Sequence, residues 1–289
     1  MGSEAHWEGG IVKPAPGKAL RWVSAAGALV GVLALAFLLG DILVRGLGHL
    51  SGHFFTNFAS RFPERAGIRA PLAGTAWLLG LTTLITVPVS LGAAIYLQEY
   101  APRNGITRAI RASVASLAGV PSIVYGILGL ALFVRALGLG GSLISGALTL
   151  SLLIMPMMIL VAQEALRGVP EEIRGAAYAL GASRWQVVRH QVLPLAVPRI
   201  ISGTVFSLAR AAGETAPLVL IGAVTFMAFT PESPRDPFTA LPVQIFHWLS
   251  RPQSEFQGLA AAAILVLLLM LLGLAALGMI LRRRWENSR

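Results

Sequence analysis

Six long apolar segments constrain this chain more than any other feature of its sequence. A helix needs about 20 apolar residues to cross the ~30 Å hydrocarbon core of a bilayer, and each segment has at least that length. Hydrophobic residues make up 55% of the chain and charged residues only 12%, too little polar surface for a soluble domain of 289 residues. The sequence therefore predicts an all-α integral membrane protein with about six transmembrane helices, at about 22–44, 72–97, 110–134, 143–162, 200–223 and 259–281.

The distribution of basic residues predicts the orientation of these helices. Of the 23 Lys and Arg residues, 15 fall on one side, in the tails 1–21 and 282–289 and the connections between them, and seven fall on the other side. Because Lys and Arg accumulate on the cytoplasmic side, we expect both termini and the connection 163–198 in the cytoplasm. The first apolar segment is too long for a signal peptide and has no clear small-residue cleavage site, so we expect a retained helix.

The connection 163–198, which we call the polar segment, is predicted to form two short helices that meet at Gly181. Glu171 and Glu172 favour the first turn of a helix, where the dipole attracts anions, and Gly181 suits the end of that helix. Residues 183–186, Ser-Arg-Trp-Gln, have the spacing of a capping box that starts a second helix. This second helix is expected to end at Pro194.

The apolar residues of the polar segment have no soluble domain within this chain to cover them. One interpretation is a rigid docking surface for a soluble partner. The alternative is an amphipathic hairpin that lies on the bilayer surface. Both interpretations concern the same side chains, which are Ala176, Ala177, Leu180 and Trp185.

Two opposite charges interrupt the fifth apolar segment. Arg210 and Glu214 are one helical turn apart, and a charge at membrane depth costs about 2.5–3.5 kcal/mol on insertion scales. With Gly203 and Ser207 they form one stripe along a helix, which can line a route for an anion. Arginine suits an oxyanion because its planar fork carries paired donors, and Glu214 would balance its charge in an empty path. The alternative is a structural ion pair that fixes helix packing.

Other polar features near this segment are weaker candidates. Gly213 allows close backbone approach, and Pro217 interrupts the helical hydrogen bonds and can free a carbonyl at the same depth. Ser113, Ser116 and Tyr125 could line the third helix towards the path. Serines in membrane helices more often bond their own backbone or allow tight packing.

Several kinds of chemistry are excluded by what the sequence lacks. The absence of Cys excludes disulfides and thiol catalysis, and His49 and His53 have metal-pair spacing but no third ligand nearby. The only lysines, Lys13 and Lys18, belong to no phosphate-binding loop, so the sequence has no recognisable ATP-binding loop of its own. The scattered arginines form no nucleic-acid-binding face. We expect a transport subunit rather than an enzyme, with no metal and no cofactor of its own.

A motif in the polar segment carries a family resemblance. Residues 175–194 read Gly-Ala-Ala-x3-Gly-x9-Gln-x-Leu-Pro. This resembles Glu-Ala-Ala-x3-Gly-x9-Ile-x-Leu-Pro, the cytoplasmic coupling loop of permease subunits of bacterial ABC importers, with departures at Gly175 and Gln191. In that family the loop docks into a groove on the ATPase subunit. The resemblance implies an ATPase-coupling role for Gly175, Ala176, Ala177, Leu180, Gly181, Ala182, Trp185, Leu193 and Pro194.

Four further motifs narrow the resemblance. They are 96–102 Tyr-Leu-Gln-Glu-Tyr-Ala-Pro, 119–126 Gly-Val-Pro-Ser-Ile-Val-Tyr-Gly, 210–217 Arg-Ala-Ala-Gly-Glu-Thr-Ala-Pro and 241–245 Leu-Pro-Val-Gln-Ile. From about residue 72 to the last helix the chain is similar to permeases of phosphate importers, specifically the A-type (PstA) group. The resemblance implies the type I ABC importer permease fold. It also implies a substrate path that includes Arg210, Glu214, Thr215, Ser207, Gly213, Ser122 and Tyr125.

The same resemblance implies an assembly in the bacterial cytoplasmic (inner) membrane. The expected partners are a C-type permease subunit in a heterodimer, two ATPase subunits that bind ATP and magnesium, and an extracytoplasmic phosphate-binding protein. Phosphate is the expected substrate and membrane lipid the surrounding medium. Two alternatives stay open: an ABC permease for another oxyanion such as molybdate or sulfate, and a secondary anion transporter or membrane scaffold without an ATPase partner.

Overall fold

The computed structural model describes residues 17–287 and is almost entirely helical. The predicted tails 1–21 and 282–289 lie partly outside these residues. π-helical turns cover Tyr96–Tyr100, Leu130–Ala136 and Val188–Val192. The α-helices are α1 Lys18–Leu47, α2 Gly52–Thr56, α3 Arg69–Ile95, α4 Gly105–Ala118, α5 Ser122–Gly129, α6 Leu143–Arg167, α7 Glu171–Ala179, α8 Arg184–Val187, α9 Leu193–Ala212, α10 Ala216–Leu220, α11 Leu241–Leu249 and α12 Glu255–Asn287.

Long apolar helices dominate the fold. A sixth candidate span consists of α4 and α5 with the π-helical turn that follows, a pair bent by 101°. The all-α architecture with five to six candidate spans confirms the predicted fold class, whereas the membrane limits of each span stay predictions. The five single helices long and apolar enough to cross a bilayer are Leu20–Leu47, Arg69–Tyr100, Leu143–Arg167, Arg184–Ala212 and Glu255–Asn287.

α3 and α6 pack side by side and run in the same direction. The Thr82 hydroxyl donates to the Ala147 carbonyl over 3.4 Å, and the Ser90 hydroxyl donates to the Met155 carbonyl over 3.5 Å. The sequence offset is 65 residues in both bonds, so the two helices advance together and end on the same side. The chain between them must return across the bundle. The bent pair of α4 and α5 makes this return, and we therefore interpret it as one crossing.

α12 runs antiparallel to both α1 and α9. Near the start of α12, Ala261 packs closely on α1. A Cβ added to Gly46 of α1 would lie 2.9 Å from the backbone of Ala261. Near the end of α12, Trp285 Nε1 donates to the Pro194 carbonyl over 3.0 Å. The start of α1, the end of α12 and the polar segment therefore share one side of the bundle, which we call the polar-segment side.

The third predicted span, 110–134, is not one straight helix. The helix begins earlier, at Gly105, and stops at Ala118, and a new helix starts after Pro121. Proline donates no backbone hydrogen bond and disfavours helical geometry in the preceding residue, which explains the break. The Tyr125 hydroxyl donates to the Leu117 carbonyl over 2.7 Å and ties the two halves together across the bend.

The fifth predicted span, 200–223, is also displaced along the chain. One continuous helical stretch runs from Arg184 to Ala212, so Pro194 does not end a short helix as predicted. A π-helical turn over Val188–Val192 directly precedes Pro194, which then occupies the first turn of α9, where its missing N–H costs little. The helix ends at Ala212, and Pro217 lies in the first turn of the separate helix α10.

Gly74 on α3 offers a test of this packing. A Cβ at Gly74 would lie 2.0 Å from the Thr239 carbonyl oxygen, whereas a Cβ at Gly80 on the same helix would have nothing within 4 Å. Overpacking typically costs about 1–3 kcal/mol, so Gly74→Ala should lower the thermal unfolding midpoint in detergent. Gly80→Ala is the matched control and should not lower it, because Ala favours helices over Gly. Equal midpoints for the two variants would contradict the close contact.

Candidate functional site

Arg210 and Glu214 form an ion pair halfway through the bundle. Arg210 Nε lies 3.8 Å from Glu214 Oε1, and the side chains are 44% and 17% exposed. Arg210 Nη1 also lies 3.7 Å from the sulfur of Met157, near the middle of α6. The pair therefore lies well away from both ends of α6, at a depth where charge is costly.

A break in the helical backbone accompanies this pair. Arg210 is in the last turn of α9, and Glu214 follows the end of that helix rather than continuing it. α10 begins at Ala216 and packs closely on α5, where a Cβ on Gly126 would lie 2.7 Å from Pro217 Cα. Non-helical backbone at membrane depth is tolerated where protein buries it or where it lines a cavity. Broken helices of this kind also supply ion and substrate sites in transporters.

The rest of the predicted stripe faces other helices. A Cβ on Gly203 would lie 1.9 Å from Val161 on α6, so Gly203 serves close packing. The Ser207 side chain is fully buried, and its hydroxyl donates to the Gly203 carbonyl over 2.9 Å. In this single chain Ser207 therefore does not face the open surface that Arg210 faces. The predicted stripe along one helix does not form, because Gly203 and Ser207 pack inside the chain and Glu214 lies beyond the end of α9. A role of Arg210 and Glu214 in the path stays a prediction.

The remaining predicted path residues also differ in whether they are buried or exposed. Tyr125 is buried, and its hydroxyl is occupied by the bond across the α4–α5 bend. Gly213 is exposed, and Ser122 and Thr215 are partly exposed. Ser122 follows the break between α4 and α5, and Gly213 and Thr215 lie at the break between α9 and α10. Their contact with a substrate stays a prediction.

The polar segment has the predicted local geometry as far as Gln186. α7 carries Glu171 and Glu172 in its first turn, and the chain turns at Gly181 with a φ of +80°, which favours glycine. The capping box forms, because the Ser183 N–H donates to Gln186 Oε1 over 2.7 Å and the Gln186 N–H donates back to the Ser183 hydroxyl.

Side chains of the polar segment differ in what covers them. Leu180 is 89% exposed, and Trp185 and Tyr178 are exposed as well. Ala177 and Ala182, by contrast, are partly buried against the chain's own core, and so is Leu193. Ala177 was expected to need an external partner for burial, and this expectation was wrong in part. Gly175, Ala176 and Gly181 are exposed, and Pro194 is partly exposed.

A buried ion pair that the sequence analysis missed attaches α7 to the bundle. Arg174 Nη2 lies 3.1 Å from Glu99 Oε1, with side chains only 9% and 11% exposed. Arg174 also donates to the carbonyls of Val169 and Leu166, at 2.7 and 2.9 Å, and to Glu171 at 3.1 Å. Arg174 therefore connects the start of the polar segment to the ends of α3 and α6.

One sequence signal could have indicated this pair. Glu99 belongs to the motif 96–102 on which the family resemblance partly depends, and its carboxylate follows a long apolar segment. An acidic residue at that position needs a basic partner. Arg174 is 75 residues away, however, and local patterns do not pair residues at that distance.

No group of three or more His, Cys, Asp or Glu side chains that could hold a metal ion occurs among residues 17–287. His49 instead packs on the start of α12, where a Cβ on Gly258 would lie 2.3 Å from its ring. Its Nδ1 lies 3.0 Å from the Arg45 carbonyl. The ring is thus part of the contact between α1 and α12.

The fold and these sites define a class of protein. Residues 86–286 match the family described as "Binding-protein-dependent transport system inner membrane component", and the chain belongs to this family. It is a multi-pass inner-membrane permease subunit of an ABC importer, a class that works with a substrate-binding protein and ATPase subunits.

Individual relatives point to a narrower group. The chain is 34% identical over 256 residues to the probable ABC transporter permease protein YqgI of Bacillus subtilis, covering 84% of this chain and 87% of that protein. It is 38% identical to the phosphate transport system permease protein PstA 1 of Mycobacterium tuberculosis over 67% of this chain and 65% of that protein. A bacterial alginate ABC transporter bound to its alginate-loaded periplasmic protein shares the fold, with a TM-score of 0.66, 17% identity and coverage of 91% and 94%.

Proposed function

We propose that this chain is the A-type permease subunit of an ATP-driven importer of inorganic phosphate. The observation that carries the proposal is the Arg210–Glu214 pair beside a helix break halfway through the bundle. The Arg210 guanidinium offers paired, charge-assisted donors to a phosphate oxyanion. Glu214 balances this charge when the path is empty and prevents the anion from binding too tightly. The relatives that are phosphate transport permeases support the same substrate.

A second, C-type permease completes the path in this proposal. Arg210 is 44% exposed in the single chain, and contact with lipid at this depth would be costly. A second permease in a heterodimer would cover Arg210 and enclose the anion. The neighbouring helix α5 presents an apolar surface that such a partner can cover, formed by the exposed side chains Ile123, Val124, Ile127 and Leu128.

Two ATPase subunits supply the energy, each bound to one permease of the pair. In this chain the contact is the exposed surface of Leu180 and Trp185 around the turn at Gly181. These apolar side chains lie at the tip of a segment that its own bundle holds through Arg174. ATP and magnesium bind to the ATPase subunits, and this chain serves as conduit and gate.

A single helical rod connects the two sites. The stretch Arg184–Ala212 starts beside the turn at Gly181 and ends two residues after Arg210, whose guanidinium contacts Met157. Its 29 residues span roughly 43 Å at about 1.5 Å per residue. Closure of the ATPase pair would move the polar segment, and the rod would carry that movement to the Arg210 site, switching the path from inward-facing to outward-facing.

The polar-segment side is proposed to face the cytoplasm. Most of the basic residues in connections lie on that side, as the charge rule for cytoplasmic loops requires. Both termini are then cytoplasmic. An extracytoplasmic phosphate-binding protein would deliver its ligand to the opposite side, where α11 and the segment between α10 and α11 lie.

Uptake of radiolabelled phosphate tests the proposal. The chain would be expressed with its cognate partner subunits in cells that lack their own A-type permease, with excess sulfate or molybdate as competitor. Uptake that requires this chain and resists both competitors is expected. Suppression by molybdate or sulfate would contradict phosphate as the substrate. Failure of ATPase subunits to co-purify under mild conditions would contradict the importer class.

Leu180 provides a specific test of the ATPase contact. Leu180→Asp should abolish phosphate uptake and ATPase co-purification, because it places a charge in an apolar contact without disturbing the bundle, from which Leu180 is 89% exposed. Leu180→Met keeps an apolar side chain of similar size and should retain both phosphate uptake and ATPase co-purification. Normal uptake by Leu180→Asp would show that the ATPase docks elsewhere.

A further inference from the structure

A basic cavity of about 630 Å³ lies on the polar-segment side of the bundle. Its walls come from the connection between α3 and α4, the first two turns of α4 and the start of α8. Gln98, Tyr100 and Asn104 contribute polar atoms, and none of the lining residues among 17–287 is acidic. Four arginines line the cavity: Arg103, Arg108, Arg111 and Arg184.

The four arginines form no ion pair with the residues that the structure describes, although Arg103 and Arg184 also line a neighbouring cavity together with Glu99 and Glu171. Within residues 17–287, none of them has a carboxylate oxygen within 4.0 Å. Glu99, next to the cavity residue Gln98, is bonded to Arg174 instead. Arg111 donates to the Leu97 carbonyl, and the Arg184 guanidinium lies 5.2 Å from the centre of the Tyr100 ring. Neither contact removes positive charge.

The start of α4 adds to this positive potential. Asn104 caps the helix, with its side-chain oxygen accepting from the Thr107 N–H over 2.9 Å, and both residues line the cavity. The positive end of the helix dipole therefore points to the same space as the arginines. A cluster of cations around an open cavity attracts an anion with several acceptor oxygens, which is the chemistry of a phosphoryl group.

The surroundings of the cavity favour a lipid as the source of this phosphoryl group. Ile106 and Ile110 on α4 are exposed, Ile106 by 72%, and form an apolar face on the first two turns of the helix, on the side away from Arg108. Such a face places these turns at the lipid boundary. Arginine and tyrosine at the end of membrane helices mark the headgroup level of a bilayer. The cavity is also in the size range of sites for larger organic ligands, about 300–1,000 Å³, and exceeds what a bare phosphate fills.

We propose that this cavity binds the headgroup of an anionic phospholipid. The headgroup would bridge α4 to Arg184 at the start of the helical rod that leads to Arg210. Lipid composition would then affect how firmly the polar segment is held against the bundle. This inference does not depend on which anion the path carries.

Native mass spectrometry of the purified full complex tests the lipid site. Phosphatidylglycerol should remain bound more tightly than phosphatidylcholine, and Arg103→Gln/Arg108→Gln should weaken this binding by about 10- to 30-fold, because these side chains would hold the headgroup through charge-assisted hydrogen bonds. Arg283→Gln/Arg284→Gln removes the same charge on the same side, outside the cavity, and should leave binding unchanged. Arg103→Lys/Arg108→Lys should retain most of it.

A second experiment distinguishes a lipid headgroup from free phosphate as the ligand. Equilibrium dialysis with radiolabelled inorganic phosphate would measure binding to the same variants in detergent without anionic lipid. The proposal is supported if only Arg103→Gln/Arg108→Gln loses lipid binding and if no phosphate binding depends on Arg103 and Arg108. Phosphate binding that depends on these arginines, without a lipid preference, would overturn the lipid assignment. Equal lipid binding by the cavity and control variants would overturn the site itself.

Discussion

Replacing Arg210 by Gln should lower phosphate uptake by about 10- to 100-fold, because hydrogen bonds to charged groups contribute about 1.5–3 kcal/mol. The amide of Gln is shorter and neutral, so it cannot offer the paired donors of the guanidinium at this depth. The measurement is the initial rate of radiolabelled phosphate uptake in cells with the cognate partner subunits. Immunoblots of the membrane fraction and co-purification of the partners would show that the variant assembles.

Glu214 variants separate substrate binding from a structural ion pair. If the pair only fixes packing, Glu214→Gln should rescue Arg210→Gln, because no unpaired charge remains. If Arg210 contacts the anion, the double variant should stay as inactive as Arg210→Gln. Glu214→Gln alone should then retain measurable uptake. Normal uptake by a fully assembled Arg210→Gln complex would refute the proposed role.

Replacing Arg174 by Ala should have the largest effect on stability. The change leaves Glu99, only 11% exposed, without its partner, and breaking a buried ion pair costs about 3–5 kcal/mol. It also removes the donor to the carbonyls of Leu166 and Val169, which hold the start of the polar segment. We expect a lower thermal unfolding midpoint for the purified complex and loss of ATPase subunits on size-exclusion chromatography.

The neighbouring pair of Arg167 and Glu164 provides the matched control. Their charged atoms are 3.5 Å apart, but the side chains are 57% and 75% exposed, and exposed pairs contribute only about 0–1 kcal/mol. Arg167→Ala should therefore leave midpoint and assembly nearly unchanged. Glu99→Met combined with Arg174→Met should recover part of the stability, since apolar residues can replace a buried pair. A similar loss for Arg167→Ala and Arg174→Ala would contradict the special role of Arg174.

Local rules predicted local structure in this chain. Gly181 takes the left-handed conformation expected at the end of α7, and residues 183–186 form the expected capping box. The same rules failed where a proline was interpreted without its surroundings. Pro194 was expected to end a helix, yet a π-helical turn before it allows the helix to continue to Ala212. The family motifs located both candidate sites, but not how their side chains are oriented.

The sequence by itself determined the membrane class, the presence of five to six apolar spans, the polar segment and the spacing of Arg210 and Glu214. These features depend on apolar length, capping and turn residues, and interactions within about four positions, all of which are written along the chain. Only the tertiary structure decided that Ser207 faces other helices, that Gly74 meets Thr239, and that Arg174 pairs with Glu99 across 75 residues. Such contacts depend on how helices pack in three dimensions, because the energy of burying a side chain or charge is set by neighbours distant in sequence.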